Sequence, residues 1–248
     1  MKYDIIRVYK INIMLITHGF VLSKKDVREY DREYCFFTKK YGKINLIAKS
    51  VRKPLSKLSA QLEPPALIEI AFVPSGDKGL ITTALIKKNF LKTRKNLSKF
   101  KTYLEISNVV NELTDSKQPD VLVWNLINSS INNLENWNSK FIEIYFLAKF
   151  IKLLGFCPNT SNCINCQKTI RDQKAIYFDK DKWGFCCDIC RTNGQEAISW
   201  QLFKSIDLLV NSSFEEIVKN ELHEPIELRY KDIKSLLKKY IKYIKKYF

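Results

Sequence analysis

Cys163-Ile-Asn-Cys166 and Cys187-Asp-Ile-Cys190 are two C-x2-C pairs with 20 residues between them. No other feature constrains the fold of this chain so tightly. Two residues between thiols let both sulfurs reach one ion from a tight turn, and a second such turn completes a tetrahedral thiolate set for Zn²⁺. Reduced structural cysteines and redox-active pairs are the competing readings of the same spacing. A four-cysteine site has no open position for water, so a bound ion would be structural, contributing ~10 kcal/mol of local folding free energy. Cys157 lies six residues ahead of Cys163, and Cys186 breaks the two-residue spacing to Cys190; both read as bystanders. Cys35 falls between Tyr34 and Phe36 in a strand pattern and reads as core.

Charge limits the partners. The 248 residues hold 42 Lys plus Arg against 26 Asp plus Glu, a formal net charge of +16. An excess of that size points to an anionic partner, nucleic acid or an anionic membrane surface. With only 2 His and 7 Gly, His-based catalysis and glycine-rich nucleotide loops are disfavoured. The apolar run Phe141 to Leu154 is short of the roughly 20 residues that a membrane span needs, and Glu143, Lys149 and Lys152 interrupt it. No cleavable leader follows the N-terminal stretch Ile11 to Ile16, so the expectation is a soluble cytosolic protein with reduced cysteines.

The first 86 residues read as β structure. Met14 to Leu22 is an extended run, Glu33–Lys40 and Lys43–Lys49 flank a tight turn at Tyr41-Gly42, and Ala66–Val73 and Leu80–Ile86 follow. Val51 to Pro65 carries three prolines and reads as a loop or an edge. Five strands in so short a stretch have exposed edges unless they close, and the five-stranded OB barrel is the small closed solution. From Lys87 the apolar period becomes helical. Pro119 is placed at the first turn of one helix, Asn138 caps another that Gly155 stops, and Ser199 caps a third. Tyr230 to Phe248 is a basic amphipathic helix. The expected fold class is therefore α+β multidomain. An OB-type barrel spans 1–86, a helical domain spans 87–156 and 195–248, and a zinc-binding insert spans 157–194.

The basic residues cluster. No carboxylate lies between Glu33 and Glu63, a window that includes Lys39, Lys43, Lys49, Arg52, Lys53 and Lys57. These six are the candidate DNA contacts, because an OB barrel binds single strands by pairing a basic groove with aromatic platforms, here Tyr34, Phe36, Phe37 or Tyr41. Phe36 and Phe37 are adjacent and so face opposite ways, leaving one of them for the core. A second basic run spans Lys78 to Lys101, and a third includes Lys231, Lys234, Lys238, Lys239, Lys242, Lys245 and Lys246. The third reads first as the solvated face of a packed helix. Trp124, Trp137 and Trp200 read as helix core, and Trp183 as packing near the knuckles. Glu215-Glu216 has no partner suited to acid–base work.

Several motifs resemble the RecO family of bacterial recombination mediators. Leu154-Gly155-Phe156-Cys157-Pro158 followed by Cys163-Ile-Asn-Cys166 is similar to the family's leucine-Gly-x-x-Pro entry to its first knuckle. Phe178, then Gly184-Phe185-Cys186-Cys187-Asp188-Ile189-Cys190, is similar to its exit and selects Cys187 over Cys186. Thr38-Lys39-Lys40-Tyr41-Gly42 resembles its Thr-x-x-x-Gly hairpin. Ala48-Lys49-Ser50-Val51-Arg52 resembles its Ala-Lys-Gly-x-Arg segment, with Ser50 at the glycine, and Trp183-Gly184 stands where the family has two glycines. The resemblance implies a nucleoid-associated, cytoplasmic protein without enzymatic activity. It would bind single- and double-stranded DNA, anneal complementary strands and bind the C-terminal tail of single-strand DNA-binding protein. With RecR it would help load RecA onto coated gaps. The residues by themselves leave two alternatives: a zinc-ribbon RNA-binding or ribosome-associated protein, and an enzyme acting on nucleic acid. The second lacks a carboxylate cluster, a phosphate-binding loop or an activated nucleophile.

Overall fold

The computed structural model describes residues 13–171, 173, 175–179 and 182–246; parts of the N-terminal stretch and the last two residues of the basic C-terminal run lie outside them. Two compact units emerge, one of residues 13–94 with 107–124 and one of residues 95–106 with 125–246.

The first unit is built on five strands: β1 (Leu15–Asp26), β2 (Arg32–Thr38), β3 (Gly42–Ala48), β4 (Ala66–Ser75) and β5 (Lys78–Asn89). They close in the order β1-β2-β3-β5-β4, with β3 and β5 the parallel pair and every other pairing antiparallel. This is the OB barrel. Alternation sets its inside: Tyr34 and Phe36 on β2, Ile44 and Leu46 on β3, and Ile68, Ile70 and Phe72 on β4 form one buried core. A short helix, α1 (Lys57–Gln61), occupies the proline-bearing segment expected to be loop.

The Tyr41-Gly42 turn is built by Thr38, whose hydroxyl donates to the Gly42 carbonyl at 2.9 Å and accepts from the Tyr41 amide at 3.1 Å. Gly42 has φ of +63°, and a Cβ there would sit 2.0 Å from the Gln118 carbonyl oxygen. Both the left-handed turn and the returning chain demand glycine. After β3, Ser50 takes φ of +53° where glycine would be at ease, and the Asp31 carboxylate accepts its amide at 2.7 Å.

The returning chain belongs to helices α2 (Leu91–Lys95), α3 (Leu97–Leu113) and α4 (Val121–Leu134). Asp120 caps α4, accepting from the amides of Leu122 and Val123, so Pro119 precedes the cap instead of opening the first turn. Residues 107–124 cover the outer face of β1–β3. Phe20, the register partner of Phe37, meets Phe90 and Trp124 at 6.2 and 5.6 Å. The Cys35 thiol lies 3.3 Å from Asn111 Oδ1, and the Lys117 amide donates to the Lys43 carbonyl at 2.8 Å. Phe36 and Phe37 are therefore both buried, one inside the barrel and one beneath this cover, and Tyr34 is buried too. The expectation of stacking platforms on β2 is corrected accordingly.

The second unit centres on α5 (Ser139–Leu153), ten of whose fifteen residues are buried. Asn138 caps it by accepting from the Lys140 amide, and Gly155, at φ of +80°, ends it. Around it pack α6 (Trp200–Asn211), α8 (His223–Leu228) and α9 (Tyr230–Ile244), with α7 (Phe214–Lys219) between. Ser199 caps α6 as expected, yet Trp200 at its first turn is 37% exposed and is not core. Glu216 completes a capping box with Ser213, a structural task for one of the paired carboxylates. On α9, Lys234 turns inward: its ammonium is 2.5 Å from Glu143 Oε1 and donates to the Tyr230 hydroxyl, which donates to Glu143 Oε2 at 2.7 Å. Lys238 and Lys239 pair with Glu105 and Glu196. Between α5 and α6 the chain forms a small sheet, β6 (Ile176–Asp179), β7 (Gly184–Cys187) and β8 (Glu196–Ile198), ordered β7-β6-β8.

Candidate metal centre and nucleic-acid face

The first knuckle is a turn in which the Gln167 amide donates to the Cys163 carbonyl at 3.0 Å and the Ile164 amide to the Phe185 carbonyl at 3.0 Å. The second is the end of β7 running into a 3₁₀ turn, Asp188–Cys190. The Cys187 amide points to the Cys163 sulfur at 3.5 Å, tying the two turns together. The sulfurs of Cys163, Cys166, Cys187 and Cys190 all lie within 4.8 Å of one another, and those of Cys166 and Cys187 are 3.7 Å apart. A tetrahedral site with Zn–S bonds of about 2.3 Å has sulfur–sulfur edges of about 3.8 Å. The set therefore fits one ion in a closed, all-thiolate shell.

Strand alternation explains the choice between the adjacent cysteines. Cys186 and Cys187 point to opposite sides of β7, so only one can join. Cys186 is buried on the far side, accepting from the side-chain amides of Gln195 and Asn165 at 3.5 and 3.7 Å. Burial pushes its thiol up to about 11, and does the same for Cys157, which is also outside the cluster. Burial works against the Cys163 thiolate as well, but amides of Cys166, Cys187 and Asn165 outweigh it and bring its pKa down to about 6. Hydrogen bonds with the Cys166 and Cys187 sulfurs push Cys190 up to about 12.

Gly184 is required by the knuckle: a Cβ there would meet Ile164 Cγ2 at 2.3 Å. Trp183 before it takes φ of +49° and packs on Phe178, Tyr240 and Tyr243, with ring centroids at 5.4, 4.4 and 5.0 Å. Phe185 meets Phe203 of α6 at 5.0 Å. The sheet that supplies the second knuckle is thereby packed against α6 and α9.

On the barrel, the six basic candidates do not form one patch. Lys39 is exposed on the β2–β3 turn. Lys43 donates to the Asn111 carbonyl at 2.7 Å beneath the returning chain, so it is removed from the candidate surface. Lys49, Arg52, Lys53 and Lys57 lie past the other end of β3, roughly 20 Å away at ~3.3 Å per strand residue. All four are exposed, and the β1–β2 loop packs beside them: the Arg52 amide donates to the Tyr30 carbonyl at 3.1 Å. The Lys53 ammonium stands 5.3 Å over the Tyr30 ring, which is 43% exposed. Arg52 is 3.4 Å from Asp26, while Lys49, Lys53 and Lys57 have no ion pair among the described residues. Leu55 beside them is 96% exposed. Tyr30 is thus the exposed aromatic that sequence reasoning missed; the signal was its place in a loop between two strands, where a ring has no core to enter.

These features define a class: an OB-barrel protein with a four-cysteine metal knuckle built into a helical unit. Sequence models of Recombination protein O match this chain, the N-terminal model over residues 14–90 and the C-terminal model over residues 99–243. The chain belongs to the RecO family. The DNA repair protein RecO of Acetivibrio thermocellus is 26% identical over 216 residues, 86% of this chain and 85% of its own length. That of Desulforamulus reducens is 22% identical over 239 residues, covering 96% of this chain and 90% of its own. Among the described residues no helix is long and apolar enough to cross a membrane.

Proposed function

We propose that this protein is a DNA repair mediator that binds DNA through its barrel and performs no bond chemistry. The observation carrying this reading is the basic end of the barrel, where Lys49, Arg52, Lys53 and Lys57 are exposed and Lys53 stands over the exposed Tyr30 ring. Barrels of this kind bind single strands with cations along the backbone and aromatic rings under the bases. Neutralising phosphates releases counterions and lowers the repulsion between two strands. Bases left free can then pair, so annealing of complementary strands follows without a catalytic group. Single- and double-stranded DNA are both ligands, because phosphate contacts carry no sequence information. In the cell the protein acts in the cytoplasm at the nucleoid. Its partners are RecR and the C-terminal tail of single-strand DNA-binding protein, and RecA is loaded as a consequence. The residue ranges 1–86, 87–156 with 195–248, and 157–194 divide this work into DNA binding, partner binding and metal-dependent folding. The ion at Cys163, Cys166, Cys187 and Cys190 is one Zn²⁺ per chain, with a structural role.

DNA affinity should depend steeply on salt and hardly on sequence. Engagement of about five phosphates of a single strand gives a log–log salt slope near −3.5. The combined change Lys49→Ala, Lys53→Ala and Lys57→Ala should weaken binding across all sequences and make the slope shallower by about 2. Lys239→Ala, Lys242→Ala and Lys246→Ala should do less, since Lys239 already has Glu196. Fluorescence anisotropy at two salt concentrations compares the variants. Greater loss in the second set would move the DNA path to α9, and a slope near zero would end the electrostatic reading.

A further inference from the structure

A cavity of about 350 Å³ opens on the barrel away from the basic end just described. Its walls are β3, the start of β1, the β4–β5 turn and residues 117–119. The floor is apolar, with Leu46, Phe72 and Pro74, and Tyr41 stands T-shaped to Phe72 with ring centroids 5.6 Å apart. Asn45 lines the cavity and is exposed. Lys40, Lys78 and Lys117 stand at the rim against one carboxylate, Asp77. Lys78 also pairs with Glu33 at 2.8 Å, while Lys40 and Lys117 have no ion pair among the described residues.

We propose that this cavity is a nucleobase pocket that takes one unstacked base of a single strand, with the flanking phosphates on Lys40 and Lys117. The proposal rests on the DNA-binding reading above and deepens it. Its volume lies at the lower end of the ~300–1,000 Å³ range of small-molecule sites. A flat ring has room against Tyr41 and Leu46, which supply an apolar surface for its face. The excess of rim cations suits a ligand that carries a negative charge beside each planar ring. The β4–β5 turn in its wall is also one of the loops through which OB barrels generally meet oligonucleotides.

The test uses the full chain and an oligothymidine carrying a single 2-aminopurine. Saturating protein should change the probe's fluorescence and shield it from acrylamide. Tyr41→Ala should abolish that local signal and cut single-strand affinity about tenfold, which is about 1.4 kcal/mol. Salt slope and duplex affinity should not move, because a base contact releases no counterion and a duplex offers no free base. Tyr41→Phe should behave as the native protein. Lys117→Glu, on an exposed residue that the fold does not need, should weaken single-strand binding and make the slope shallower by about 0.7. Native affinity and native probe signal in both Tyr41→Ala and Lys117→Glu would overturn the pocket while leaving the DNA reading intact. No binding of single strands by the native protein would remove both. Tyr41-dependent binding of a fluorescent acidic peptide bearing a phenylalanine, with oligonucleotide binding unaffected by Tyr41→Ala, would give the cavity to a protein partner and overturn the proposal.

Discussion

Cys163→Ser and Cys187→Ser should each release the metal and unfold the β6–β7–β8 sheet. The effect is large because a structural zinc site contributes ~10 kcal/mol to the fold it closes. Its loss spreads: Trp183 sits on Tyr240 and Tyr243, and Phe185 on Phe203, so α6 and α9 lose an apolar partner together. Insolubility of both variants is the expected outcome in expression. Cys186→Ser should keep about one Zn²⁺ per chain, since its side chain faces Gln195 and Asn165 across the strand from the ion site. Cys157→Ser should keep it too. Metal content by atomic emission, alongside circular dichroism, separates the variants. Zinc loss from Cys186→Ser with retention in Cys187→Ser would reverse the assigned register.

Lys234→Met should cost about 3 kcal/mol of stability, the next largest effect. Burial works against the Lys234 ammonium, but hydrogen bonds with the Glu143 carboxylate and the Tyr230 hydroxyl outweigh it and hold its pKa above the ordinary lysine value. Removing the lysine leaves Glu143, only 3% exposed, with the Tyr230 hydroxyl as its remaining side-chain partner among the described residues. An unpaired buried carboxylate of this kind is strongly destabilising, at about 3–5 kcal/mol. The double change Glu143→Leu with Lys234→Met should recover most of the loss, because two apolar groups replace the pair without stranding a charge. Urea melts of the native protein and both variants measure this. A single variant within about 0.5 kcal/mol of native would show that the pair is not a buried one.

Some features of this fold depend only on neighbours in sequence, and these were legible. Asn138 and Ser199 cap helices because a cap needs one side-chain oxygen and an amide two or three residues on. The thiols of each C-x2-C pair converge because a tight turn brings them together whatever surrounds it. Residue alternation sent Phe36 and Phe37 to opposite faces of β2, one of them to the core, and five short strands pointed to closure. The tertiary structure alone decided which outer faces stay open. Phe37, Cys35 and Lys43 are as polar or apolar in sequence as any half-exposed strand residue; they are covered because residues 107–124 return to β1–β3. The same geometry parts Lys39 from Lys49, which a linear window counts as one cluster, by placing them at opposite ends of a strand. Lys234 reads as one more solvated lysine until α9 is laid against Glu143 of α5, 91 positions earlier. Local spacing sets caps, turns and ligands because the chain itself fixes those distances. Burial and charge pairing across the fold depend on which distant segment comes back, and no local pattern encodes that.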